Sequence, residues 1–145
     1  MAQTAKATRA TGAKRNVRKA APPRLHGRLS IGSLMDEHGA VKVGDVADAF
    51  SMSKAQLAET AGLAREVFQK ASRRGGPKAQ TRVKEMLEII NLVQAWAGGP
   101  GQAMAWYRAE PIPAFGGRTA EALVKSGAAG AVRDYVDHLA TGGYA

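Results

Sequence analysis

Eight residues near the end of the chain, Glu110-Pro111-Ile112-Pro113-Ala114-Phe115-Gly116-Gly117, restrict the fold more than any other stretch. Two prolines one residue apart fix φ and remove amide donors, so no helix runs through them, and the residue before each is pushed extended. Gly116 and Gly117 then admit a left-handed backbone that other residues resist. The chain is therefore expected to be helical on both sides of a rigid turn. Downstream, Thr119 is placed to cap a short helix, with Glu121 in its first turn where the helix dipole favours an anion. Leu123 and Val124 give that helix its apolar contacts, and Gly127 stops it after Lys125. Residues 128–140 form the last helix, with Val132, Tyr135, Val136 and Leu139 inward. Upstream, residues 102–108 form a short helix bearing Trp106 and Tyr107.

The remaining apolar pattern is also helical. Residues 80–97 make the longest helix, with Thr81 as a candidate cap. Val83, Met86, Leu87, Ile90, Val93 and Ala97 form one stripe, and Ile89, Leu92 and Trp96 extend it round the helix. So wide an arc implies packing on two sides, with surface left for dimerisation. Gly98-Gly99-Pro100-Gly101 ends this helix sharply. Residues 43–50 carry a short stripe of Val43, Val46, Ala47 and Phe50, and Ser53 caps a helix over residues 54–61. Between residues 29 and 41, Ile31, Leu34 and Met35 are spaced for one turn of helix.

Residues 53–74, SKAQLAETAGLAREVFQKASRR, have the spacing of a helix-turn-helix. Ala58 allows close helix approach, Gly62 allows the turn, and Leu63 and Phe68 face inward. Arg65, Glu66, Gln69, Lys70 and Arg73 face outward, the side-chain types that read base edges or hold phosphates. Arg73, Arg74 and Lys78 continue the basic surface through a Gly-Gly-Pro loop. Residues 65–84 hold seven cations against Glu66 alone. A two-helix corner with a solvated loop remains the alternative. The loop is not a P-loop, because it lacks the required spacing and no strand precedes it.

Charge divides the chain of 145 residues. Its net charge is +9, yet Lys6, Arg9, Lys14, Arg15, Arg18, Lys19, Arg24 and Arg28 all precede the first acid, Asp36, leaving the rest near +1. Residues 1–28 contain one leucine and no aromatic residue, a composition expected to stay a disordered basic arm. Such an arm contacts phosphates or simply solubilises the chain. There is no cysteine, so disulfides and thiolate metal sites are excluded. No apolar run reaches the roughly 20 residues of a membrane helix. A cytoplasmic, non-membrane protein is expected. No catalytic motif or apolar carboxylate pair is present, and no cofactor is expected. Asp134, Asp137 and His138 sit at metal-ligand spacing on one helix, but a solvated face accounts for them better. The residues alone thus give an all-α chain: a basic arm at 1–28, a helix-turn-helix-like domain at 29–98, and a helical module at 99–145.

Trp106, the run PIPAFGGRT, a short Leu-bearing helix, the Ser126-Gly127 break and a closing helix that runs into Gly142-Gly143-Tyr144 together resemble the toxin-binding domain of the Xre/MbcA/ParS antitoxins. The resemblance is good over residues 99–145, looser over 41–97, and absent over 1–40. Ala120 stands where that family commonly has Pro, and Ser126-Gly127 where Thr-Gly is common. The resemblance implies a type II antitoxin whose partner is a RES-domain toxin, similar to ADP-ribosyltransferases and using NAD. It further implies a plug at the toxin's active-site entrance formed by Gly142, Gly143, Tyr144 and Ala145 with the last helix. Arg133, Asp137 and His138 lie on the outer face of that helix, and Arg118 is a further contact. It implies an Xre-like amino-terminal half that dimerises within a toxin–antitoxin hetero-oligomer and represses its operon. Operator DNA would then be contacted by Arg65, Gln69, Lys70, Arg73, Arg74 and Lys78. Two other readings stay open: a stand-alone helix-turn-helix regulator whose carboxy-terminal module only dimerises, and a nucleoid-type protein resting on its basic arm.

Overall fold

The computed structural model describes residues 28–69 and 75–142. Six α-helices follow one another among the described residues: α1 (Val43–Ala49), α2 (Lys54–Thr60), α3 (Pro77–Ala97), α4 (Pro100–Ala109), α5 (Ala120–Lys125) and α6 (Ala129–Ala140). Single 3-10 turns lie at Ile31–Leu34 and Pro113–Phe115. No strand occurs among the described residues, and extended pairing is limited to two isolated antiparallel bridges, Met35 with Val41 and Ile112 with Arg118. The all-α expectation holds.

Helix α3 begins three residues earlier than the apolar stripe suggested. Gly76 is its N-cap and Pro77 its first residue. Proline suits that position because its missing N–H would have had no helical partner and its φ is already helical. The helix stops at Gly98, whose φ of 105° closes it in the left-handed region. Val83, Met86, Leu87, Ile89, Ile90 and Val93 are all buried, so α3 is the shared wall of the core. Helices α4, α5 and α6 pack on it, and so does the Ile31–Leu34 turn. One apolar cluster runs from Leu29 to Val136.

The segment before α1 is strapped to α3 by two glutamine side chains. The Leu29 amide donates to Gln94 Oε1 at 2.7 Å, and Gln94 Nε2 donates back to the Leu29 carbonyl at 3.0 Å. Gln80 repeats the pattern with Val41, at 2.7 Å and 3.4 Å. Each primary amide mimics a strand neighbour, which satisfies backbone groups that burial would otherwise orphan. Fourteen residues is close to four helical turns, so both glutamines point from nearly one side of α3.

Ser53 forms a complete capping box with Gln56 at the start of α2, as the sequence suggested in part. The expected second helix of the helix-turn-helix differs over its described part, and residues 70–74 of it lie outside the described residues. Residues 64–69 form two successive i→i+3 turns, Val67 N to Ala64 O and Gln69 N to Glu66 O, and no α-helix. Phe68 is buried and Leu63 half-buried, as expected. The inward pair thus anchors the segment without continuous helical bonding. Gly62 lies at φ 79° against the end of α5, where an added Cβ would come 3.0 Å from Lys125 Cα.

Candidate functional site

The carboxy-terminal module is built around the Pro/Gly turn. Ile112 N–H donates to the Arg118 carbonyl at 3.0 Å, and Gly117 N–H donates to the Ile112 carbonyl at 3.0 Å. These bonds close a small loop over the buried Ile112 side chain. Gly116 and Gly117 both adopt positive φ, 70° and 83°, which explains why the tight return uses two glycines. Thr119 then caps α5 by accepting from the Ala122 amide at 3.1 Å. Gly127, at φ 90°, ends α5 and lets α6 fold back.

Helix α6 presents Val132 and Val136 to the core and a polar face outward. Tyr135 is half-buried and meets Phe115 of the turn edge-on, with ring centroids 5.7 Å apart. This aromatic pair joins the turn to α6. Sequence reasoning placed both residues in structural roles without pairing them, since forty-residue patterns give no cross-element register.

Of the residues implied as toxin contacts, Arg133, Asp137 and His138 lie on this helix. Asp137 and His138 are exposed near the end of α6, and Gly142 follows at φ 81°, its amide donating to the Leu139 carbonyl at 3.0 Å. Arg133 lies one turn before Asp137 and is half-buried, with Nη1 3.0 Å from Glu88 Oε1 of α3. Arg118 is exposed in the turn, where its guanidinium donates to the Ala122 carbonyl at 3.4 Å. Arg118 therefore belongs to a different element from Asp137, His138 and Gly142, which cluster at one helix end. Gly143, Tyr144 and Ala145 lie outside the described residues.

On the amino-terminal side, Arg65 and Gln69 are exposed on the turn segment, and Lys78 is exposed in the first turn of α3. Arg65 is paired with Glu59 of α2 at 2.8 Å, which neutralises part of its charge. Lys70, Arg73 and Arg74 lie outside the described residues.

The two sides meet at buried polar contacts. Tyr107 of α4 is fully buried and donates to the Thr60 carbonyl at the end of α2 at 3.1 Å. Burial drives its phenol well above the ordinary tyrosine range, with Glu121 and Glu85 adding and Arg82 opposing. Arg82 of α3 donates to the Val124 carbonyl in the last turn of α5 at 2.7 Å, satisfying a helix-end acceptor. Beside this joint is a cleft of about 490 Å³ lined by Thr60, Gly62, Arg108, Glu121, Lys125 and neighbours. Its charges pair with one another: Glu121 lies 2.9 Å from Lys125 Nζ and 4.0 Å from Arg108 Nε. One carboxylate is thus shared by two cations, and the trio keeps a net charge of +1. Among the described residues no group of three His, Cys, Asp or Glu side chains is placed to hold a metal. No described helix is long and apolar enough to cross a membrane.

Residues 92–142 match the family model of the antitoxin Xre/MbcA/ParS C-terminal toxin-binding domain. The match begins in the last turns of α3, takes in Trp96, α4, the Pro/Gly turn and α5, and ends at Gly142 just past α6. No curated protein and no solved structure gives a significant match.

Proposed function

An Xre/MbcA/ParS-type antitoxin by the toxin-binding domain at its residues 92–142, the chain, we propose, neutralises a RES-domain toxin by occupying the entrance to its active site. The observation that carries this reading is the match to the toxin-binding domain, whose last helix keeps an exposed polar outer face. Asp137, His138 and Gly142 sit together there, ahead of Gly143-Tyr144-Ala145. In this reading the small Gly142-Gly143 pair and the aromatic Tyr144 enter the toxin's dinucleotide cleft. Inhibition is then steric and needs no chemistry from the antitoxin. Arg133 and Arg118 frame the contact with charge on the module's outer surface.

Co-expression of this chain with a neighbouring RES toxin, scored by growth and co-purification, tests the proposal. The full chain is expected to restore growth and form a complex, and removing residues 142–145 is expected to abolish the rescue. A complex and rescue that survive the truncation would move the inhibitory contact to the Pro/Gly module. Absence of any complex would sink the RES-toxin reading.

A second activity, operon repression through DNA binding, is favoured by the cations that cluster around residues 65–84 and in the first 28 residues. Residues 64–69 are turns and present Arg65 and Gln69 on no continuous helix among the described residues, which favours backbone phosphates as their target. Retardation assays across a salt series check this. Operator preference that persists at raised salt supports a repressor, whereas affinity that collapses equally for all sequences supports nonspecific binding.

A further inference from the structure

Trp96 is the only large apolar side chain left exposed among the described residues, at 44%. It meets the half-buried Trp106 of α4 edge-on, with ring centroids 5.7 Å apart and planes at 88°. A single exposed indole is ordinary by itself; here its surroundings give it a role. Residues 89–107 carry no charged side chain, and the nearest charges in sequence are Glu88 and Arg108. Ala95 and Ala105, next to the two indoles in sequence, are exposed and small. A neutral centre holding an aromatic residue, with charges only at its margin, is the anatomy of a protein-docking surface.

The position of Trp96 on α3 indicates which partner. Trp96 stands two four-residue steps after Glu88, with the half-buried Leu92 between them. All three therefore open on one side of the helix, over roughly 12 Å of its length. Ile89, Ile90, Val93 and Gln94 are buried behind them. Glu88 is the residue that Arg133 of α6 reaches, at 3.0 Å. One surface thus runs from Arg133 through Glu88 and Leu92 to Trp96 and Trp106, and all of these but Glu88 lie within the matched residues 92–142. Trp96 leaves roughly 100 Å² of its indole open, whereas a standard protein interface covers about 800 Å² on each side. The indole is therefore one anchor inside a larger contact, and the surface continuous with it belongs to the toxin-binding domain.

We propose that Trp96, braced by Trp106, is a second anchor for the toxin, apart from the chain's end. The indole enters an uncharged apolar recess on the toxin, and Glu88 and Arg133 sit at the rim of that contact. The proposal rests on reading this module as the docking surface for a RES-domain toxin. The chain's end then supplies the block and the indole supplies part of the affinity.

The test titrates the purified neighbouring RES toxin into the full chain and into two full-length variants by calorimetry. Trp96→Ser removes the indole. Ala95→Lys keeps the indole and places a charge on the neutral face, near a helix end where a cation suits the dipole. Circular dichroism and thermal melting check that each variant keeps the fold, and Ala95→Lys decides the matter where Trp96→Ser does not. Trp96→Ser is expected to weaken affinity about 30-fold, the loss of a hot-spot indole. Ala95→Lys is expected to weaken it at least about tenfold, because the new charge is buried without a partner. Affinity of a folded variant within about twofold of the intact chain's overturns the anchor and leaves the RES-toxin reading standing. An intact chain that captures no toxin overturns both. A dimer of the chain alone that Trp96→Ser dissociates, seen by sedimentation, also overturns the proposal, because a second copy would then cover the corner.

Discussion

Replacing Tyr107 by phenylalanine tests the joint between the amino-terminal helices and the toxin-binding module. Tyr107 is fully buried, and its hydroxyl donates to the Thr60 carbonyl at 3.1 Å. The change removes one oxygen, leaves the ring packing intact and strands a carbonyl at the end of α2. The expected cost is about 1–2 kcal/mol at neutral pH, which for a domain of this size lowers Tm by roughly 5–10 °C. The pH dependence gives the sharper signature. The folded protein holds the phenol above its ordinary value, chiefly by burial. A raised folded value means that the stabilisation is complete below about pH 10 and drains away as pH climbs above it, at about 1.4 kcal/mol per unit. Tyr107→Phe has no such loss. The difference in unfolding free energy between the two proteins should therefore close near about pH 11 and reverse above it. Urea titrations of both proteins from neutral to alkaline pH measure this directly. A constant gap through that range would refute the buried, protonated phenol as the joint.

Three further outcomes follow from the geometry. Gln94→Ala orphans the Leu29 amide and carbonyl together, so the urea midpoint should fall by the equivalent of about 2–4 kcal/mol, with the Leu29 amide losing most of its hydrogen-exchange protection. Gly62→Ala forces a left-handed alanine whose Cβ lies 3.0 Å from Lys125 Cα; calorimetry should show a loss of at least about 1 kcal/mol, and unchanged stability would mean that the two halves separate at no cost. Arg133→Ala breaks an ion pair to Glu88 between side chains 37% and 52% exposed, a contact worth at most about 1 kcal/mol. It should leave thermal stability nearly unchanged while weakening toxin capture in a pull-down titration, and equal capture would remove Arg133 from the interface.

Much of the module could be read locally. The Ser53 and Thr119 caps, the stop at Gly127 and the rigid turn at residues 110–117 depend on nearest neighbours in sequence, and each appears where its residues stand. The apolar pattern does not locate the start of α3, because Pro77 suits the end of a loop and the opening of a helix equally. The segment from Ala64 to Gln69 has the inward and outward pattern of a helix yet closes as turns. An apolar pattern specifies which side chains are buried, and a few anchored residues such as Phe68 satisfy it without a continuous helical ladder.

The chain alone therefore determined the all-α class, the position of its rigid turn and the polar end of its last helix, because proline, glycine and capping chemistry act over a few residues. Only the tertiary structure decided that Gln80 and Gln94 strap the leading segment to α3, that Tyr107 and Arg82 join α2, α4 and α5, and that Trp96 stays exposed against Trp106. The hydrogen bonds among those contacts link residues 39 to 65 positions apart, and the Trp96–Trp106 pair depends on which side of one helix a neighbour happens to cover. Amide, phenol and indole groups can serve equally well at a surface or in a core. Their role is set by what the rest of the chain places opposite them.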